Sequence, residues 1–242
     1  MMWGRHDGAA RGRHGWYGKI PAAGDFLHRG VTRELAAWWD KWAQHGLAAL
    51  RQLPPEAQRE FLAAPLWNFA VPAGPGAGSV QLGCVMPSRD RVGRAYPLWA
   101  LWEIPVRGYE PGMLAQSGPF YRDAGGALLS AVRHGSGADQ LDRALAQAAA
   151  GLQAAPQPAA HGSPGQDILE ILNAGLPDAP APAPHGPAGW PELPECFNPA
   201  SHTSYWWTNQ ADGAALQTYV HGGALNATLF ARLFVPLARS RL

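Results

Sequence analysis

A chain of 242 residues, 47% hydrophobic and only 15% charged, carries enough apolar material to bury a real core and does not have the composition of a disordered polymer. Its 19 basic and 18 acidic residues leave a formal net charge of +1, so it lacks the concentrated positive charge that nucleic acids and anionic membranes recruit. Two cysteines, Cys84 and Cys196, exclude a disulfide scaffold and have no metal-ligand spacing.

Residues 1–15 read as a disordered leader, rich in Arg, His and Gly. With no apolar stretch before Trp16, they do not read as a signal peptide. WYGKI at 16–20 predicts a short strand closed by Pro21. Gly24, available for a positive φ, and Asp25 then supply turn chemistry. Thr32 is a good N-cap for a helix in which Leu35, Trp38, Trp39 and Trp42 recur at i, i+3, i+4 and i+7. That helix is expected to reach Leu50, with Asp40, Lys41 and Gln44 mostly off the tryptophan face. PPEAQREFLAAP predicts a second, short helix with Pro55 near its start and Pro65 after its end. LWNFAV at 66–71 alternates, with Trp67, Phe69 and Val71 expected inward. PAGPGAGS is turn chemistry. VQLGCVM at 80–86 and AYPLWALWEI at 95–104 predict two strands of an antiparallel hairpin with an enlarged tip over 87–94.

FYRDAGGALLSAVRHG and ADQLDRALAQAAAGL predict two helices. Residues 153–199 form a Pro-, Ala- and Gly-rich loop, in which only DILEILNAGL at 167–176 has helical character. HTSYWWT and LQTYVHG read as strands, and GGALNATLFARLF as a closing helix. The order is that of an α/β fold: a single domain over 16–242, with a mixed (partly antiparallel) sheet flanked by helices, sandwich-like. The last strands are expected to complete the first sheet, because about forty residues are too few for a second core. Eleven tryptophans cluster at Trp38, Trp39 and Trp42, at Trp99 and Trp102, and at Trp206 and Trp207. They read as core, with an interface as the alternative. No window approaches the ~20 apolar residues of a membrane-spanning helix, and a cytoplasmic location is expected.

The segment at 87–94, PSRDRVGR, admits three readings. Ser88 as a nucleophile needs an adjacent base, and the loop holds no histidine; GxSxG, GxGxxG and GxxxxGK[ST] are absent from the chain. Arg89, Arg91 and Arg94 with the Gly93 backbone suit a phosphate. The third reading is a structured turn, with Pro87 ending one strand and Asp90 capping local N–H groups. A hairpin closes in about two to five residues, so eight residues with four charges suggest a task beyond closure.

Dispersed segments also carry a resemblance. WYGKIPAAGDFLHRG at 16–30 resembles the opening G-K-x-P-x-x-G-D-F signature of the TagF/ImpM family of type VI secretion system accessory proteins. APLWNFA at 64–70 is similar to that family's P-x-W-x-F segment. GCVMPSRDRVGRAYPL at 83–98 is similar to its G-x-x-x-P-S-x-D-x-V-G-R-x-(F/Y)-P-L segment, and SYWW at 204–207 to its late Ser-x-Trp-Trp. The resemblance implies a compact α/β sandwich and a non-enzymatic cytoplasmic protein. Such a protein restrains secretion after translation by protein–protein binding, and a forkhead-associated scaffold protein is the expected partner. Some relatives carry a fused Ser/Thr phosphatase domain, whose residues this chain lacks. No catalytic residue, cofactor or metal is implied. Lys19, Asp25, Asp90 and Arg94 are the polar motif positions, and with Ser88 and Arg91 they form the candidate partner-binding set. GKIPAAGDF and MPSRDRVGR are expected to meet at one edge of the sheet as an exposed charge network. A hydrolytic or small-molecule enzyme using the 87–94 loop, and a structural subunit of the apparatus, are the alternatives.

Overall fold

The computed structural model describes residues 12–154, 189–210 and 213–235. Most of the 1–15 leader and the expected helix at 167–176 lie outside the described residues. The centre of the fold is the hairpin of β4 (Val80–Arg89) and β5 (Ala95–Ile104), in register from Val80↔Ile104 to Arg89↔Ala95. Around it, β1 (Arg13–Gly18), β2 (Leu27–Arg29), β3 (Trp67–Val71), β6 (Thr203–Asn209) and β7 (Ala215–Gly222) complete one seven-stranded sheet in the order β2-β1-β5-β4-β3-β6-β7. The late strands do join the first sheet, and every pairing is antiparallel.

Helices cover both faces, which gives the expected sandwich three layers. One face carries α1 (Arg33–Leu50), α2 (Pro55–Ala63) and α7 (Ala227–Phe234), packed on Phe69, Val85, Trp99 and Trp206. The other carries α3 (Pro111–Ala115), α4 (Gly118–His134), α5 (Ala138–Ala154) and α6 (Leu193–Cys196), packed on Leu82, Cys84, Ala100 and Trp102. Strands buried on both faces read as unbroken apolar runs, a pattern more familiar from parallel sheets. The same double coverage buries all five residues of β3, where alternation had predicted a single inward face.

Local signals explain α1. Thr32 Oγ1 accepts from the N–H of Leu35 at 3.2 Å, and the helix ends at Leu50 as its periodicity predicts. Trp39 and Trp42 are core, whereas Trp38 is half-buried and packs edge-on against Trp39. The indoles are tied down: Trp39 Nε1 donates to Gln81 Oε1 at 2.6 Å, Trp42 Nε1 to the Asn226 carbonyl at 2.8 Å and Trp67 Nε1 to the Leu233 carbonyl at 2.7 Å. At Gly46, a Cβ would sit 2.1 Å from the Phe230 ring, so glycine is what lets α1 and α7 approach this closely.

Several boundaries differ from expectation. Residues 13–15 are strand, not leader. β1 stops at Gly18, whose φ of 136° and 2.2 Å approach of a notional Cβ to the Pro97 carbonyl turn the chain towards the hairpin tip. Gly24 does not take the positive φ expected of it; Gly18 and Gly30 do, on either side of the loop. Pro87 does not end β4 but lies inside it, opposite Pro97. The last pairs with the flanking strands are Trp67↔Val85 and Gly18↔Leu98. The two prolines therefore sit where β4 and β5 have lost their outer neighbours, and their missing N–H groups remove no ladder bond to β3 or β1. The enlarged tip accordingly shrinks to Asp90–Arg94, closed by Asp90 N–H to the Arg94 carbonyl at 3.1 Å.

Candidate partner-binding site

The tip is built around one carboxylate. Asp90 Oδ1 accepts from the backbone N–H groups of Val92 (3.1 Å) and Arg94 (2.8 Å). Its Oδ2 accepts from Lys19 Nζ (2.9 Å) and Arg94 Nε (2.7 Å). Gly93, at φ 89°, supplies the left-handed residue that lets five residues close around this side chain, and its N–H reaches the Asp90 carbonyl at 2.9 Å. Two further bonds stitch the tip to the GDF loop: Arg94 Nη2 donates to the Gly24 carbonyl at 2.6 Å, and the Arg91 N–H donates to the Ala23 carbonyl at 2.8 Å.

The network is not the exposed set of charges expected from sequence. The side chain of Asp90 is 0% exposed and that of Lys19 7%, while that of Arg94 is 61% exposed. Burial pushes the Asp90 carboxyl upward, but donation from Lys19 and from the backbone and side chain of Arg94 outweighs it and holds the group well below the usual carboxylate range. Lys19 also lies over the Phe26 ring, 4.7 Å from its centroid. Asp25 is exposed and outside the network. Ser88 is buried, and among the described residues its Oγ has no hydrogen-bond partner, histidine included. Arg91 and Val92 are exposed at the tip.

Behind the GDF loop lies a cavity of about 700 Å³, lined by Lys19, Phe26, Arg94 and Tyr96 from the motif segments and by α1 and Phe61 from the helical layer. Asp40 of α1 stands beside it, accepting from the hydroxyls of Tyr17 (3.0 Å) and Tyr96 and from the Gln44 amide. Desolvation leads in raising the Tyr17 phenol to about 12, with the Asp40 charge adding to it. Among the described residues, no group of three or more His, Cys, Asp or Glu is placed to hold a metal ion, and no helix is long and apolar enough to cross a membrane.

The model of the TagF N-terminal domain, type VI secretion system-associated, matches residues 15–148, more than half of the chain. The chain belongs to this family. The matched residues contain both segments of the tip network and the whole of α1. A solved structure, that of PA0076 from Pseudomonas aeruginosa PAO1, is 23% identical, covers 93% of this chain and 96% of its own, and superposes with a TM-score of 0.64. That likeness shows a shared fold. No curated relative matches.

Within this family domain, the structure unites Lys19, Asp90 and Arg94, brings the Arg91 backbone to the GDF loop, and leaves Asp25 and Ser88 apart. Sequence reasoning missed the cavity and the Tyr17–Tyr96–Asp40 cluster. One signal was available: Tyr96 occupies the aromatic position of the hairpin motif.

Proposed function

We propose that the chain is a non-enzymatic, cytoplasmic accessory protein of the type VI secretion system that restrains secretion after translation by binding a component of the apparatus. The observation that carries this reading is the clamp that Lys19 and Arg94 form on the buried Asp90 carboxylate. It fixes the GDF loop against the hairpin tip, while Asp25, Phe26, Arg91 and Val92 stay exposed on that fixed frame. A loop held this firmly loses little entropy on binding, which favours recognition. The partner expected from the family resemblance is a forkhead-associated scaffold protein.

The test pairs capture from a type VI-secreting cell lysate with a secretion assay, using the wild type and an Arg91→Glu/Val92→Glu variant. The wild type is expected to retain a secretion component and restrain secretion, and the variant to do neither at an unchanged Tm. Wild type that captures no secretion component overturns the reading, as does a variant that restrains secretion as fully as the wild type.

A further inference from the structure

Among the described residues, no carboxylate lines the cavity behind Phe26. Its apolar walls are Leu47, Leu50 and Phe61, and its charged lining is Lys19, Arg51 and Arg94. Among the described residues, Asp90 and Asp40 bond to lining side chains, and both are occupied. Asp90 accepts from Lys19, from Arg94 Nε and from two backbone N–H groups. Asp40 accepts from Tyr17, Tyr96 and Gln44. Three cations against two satisfied carboxylates leave the cavity cationic.

The cations differ in what they have left to offer. Lys19 is buried on Asp90. Arg94 gives Nε to Asp90 and Nη2 to Gly24, and among the described residues its Nη1 has no partner. Arg51 is exposed and makes no ion pair among the described residues. It sits just past α1, where helix carbonyls carry partial negative charge. The N–H groups of Arg51, Gln52 and Leu53 already bond the carbonyls of Leu47, Ala49 and Leu50. Exposed apolar side chains gather on the same segments. Phe26 lines the cavity at 46% exposure, Val92 (68%) lies two residues before Arg94, and Leu53 and Leu62 flank the wall residues Arg51 and Phe61.

An apolar cleft with one guanidinium, Arg51, lacking an acid partner among the described residues and a second, Arg94, with its Nη1 edge open is complementary to one kind of occupant. We propose that it is a docking pocket for a partner protein's peptide segment in which an aromatic or aliphatic side chain is flanked by carboxylates. The side chain enters against Leu47, Leu50 and Phe61, and the flanking carboxylates pair with Arg51 and the Nη1 edge of Arg94. The proposal names the chemistry of the partner and rests on the partner-binding reading above.

The test titrates isotope-labelled full chain with acetyl-Glu-Phe-Glu-amide, acetyl-Lys-Phe-Lys-amide and acetyl-Glu-Ala-Glu-amide, followed by NMR. Saturable shifts of the Phe26, Ala48, Arg51 and Ala95 amides are expected with the first peptide, with affinity lower by about tenfold or more for the other two. Arg51→Gln is expected to weaken the first peptide by a similar factor at an unchanged Tm. Equal binding of the lysine-flanked peptide, or shifts confined to another surface, overturns the proposal. If Arg51→Gln still captures secretion components while the Arg91→Glu/Val92→Glu variant does not, the regulatory reading stands and the pocket falls. Peptide binding at the pocket without any capture of secretion components leaves the pocket standing and removes the regulatory reading.

Discussion

Replacing Trp39 by Phe separates packing from polar satisfaction in the tryptophan layer. Trp39 is fully buried, with ring centroids of Phe69, Trp42 and Trp99 at 5.0, 5.6 and 5.7 Å. Its indole N–H is bonded to Gln81 Oε1 at 2.6 Å, and among the described residues the Gln81 amide nitrogen has no partner of its own. Phenylalanine keeps an aromatic ring in place but orphans the second polar atom of a buried amide, which costs roughly 1–3 kcal/mol. The volume lost with the indole adds about 1–2 kcal/mol, less than full truncation to alanine would. The sum is about 2–5 kcal/mol, or about 4–20 °C in Tm for a domain of this size. Replacing Gln81 by Leu in the Trp39→Phe background removes the orphan. The double variant is therefore expected to be more stable than additivity allows, by about 1–3 kcal/mol. Urea unfolding followed by circular dichroism measures all four corners of the cycle. A Trp39→Phe cost below about 0.5 kcal/mol, the range of an ordinary surface substitution, would refute the reasoning. So would a strictly additive double variant.

Asp90→Ala is expected to lower Tm more than Lys19→Met, because it strands a buried ammonium, whereas Asp90 without Lys19 keeps Arg94 Nε and two backbone donors; Asp25→Ala should leave Tm unchanged, and the reverse order would refute the clamp. Because the folded state lowers the Asp90 carboxyl's pKa, its stabilisation is present above the ordinary carboxylate range and lost as pH falls below it; Tm against pH should therefore have a shallower acid limb in Asp90→Asn. Gly46→Ala gains helix propensity of about 1 kcal/mol but drives a methyl into the fully buried Phe230 ring, so a net loss of Tm is expected and a gain would refute the close approach. The folded state raises the Tyr17 phenol to about 12, so it contributes stability that is full below the ordinary phenol pKa and lost as pH rises through about 12. Comparing phenolate absorbance titrations of the wild type and Tyr17→Phe should show the missing tyrosine as one titrating late, and loss of a normally titrating one would contradict this.

The parts of the fold legible from sequence are those written in short-range grammar. Thr32 with the Leu35–Trp42 spacing marks α1, Pro55 marks α2, and the two aromatic runs mark the central hairpin. β2 escaped because three residues carry no periodicity. The extent of the hairpin escaped because Pro87 reads as a terminator until the absence of outer neighbours at its level is known. At the site, the meeting of the two motif segments was foreseen, but the burial of Lys19 and Asp90 was not, since charged residues are solvated by default. The cavity was out of reach because Lys19, Arg51, Phe61 and Arg94 converge only through the tertiary fold.

The strand order has a consequence for synthesis. The family-matched residues 15–148 hold most of β1 and all of β2 to β5, yet β3 finds its outer neighbour only in β6, and the roof over Trp42 and Phe61 comes from α7. Trp67 and the carbonyl it donates to at Leu233 are 166 residues apart, an interval of roughly 8–30 s at about 5–20 residues per second on the ribosome. During that interval a nascent chain carries an open sheet edge and an uncovered aromatic layer, the two features that recruit holdase chaperones and promote association between chains. Production of this protein should therefore depend on chaperone supply, and suffer from slow translation, more steeply than its final stability would suggest.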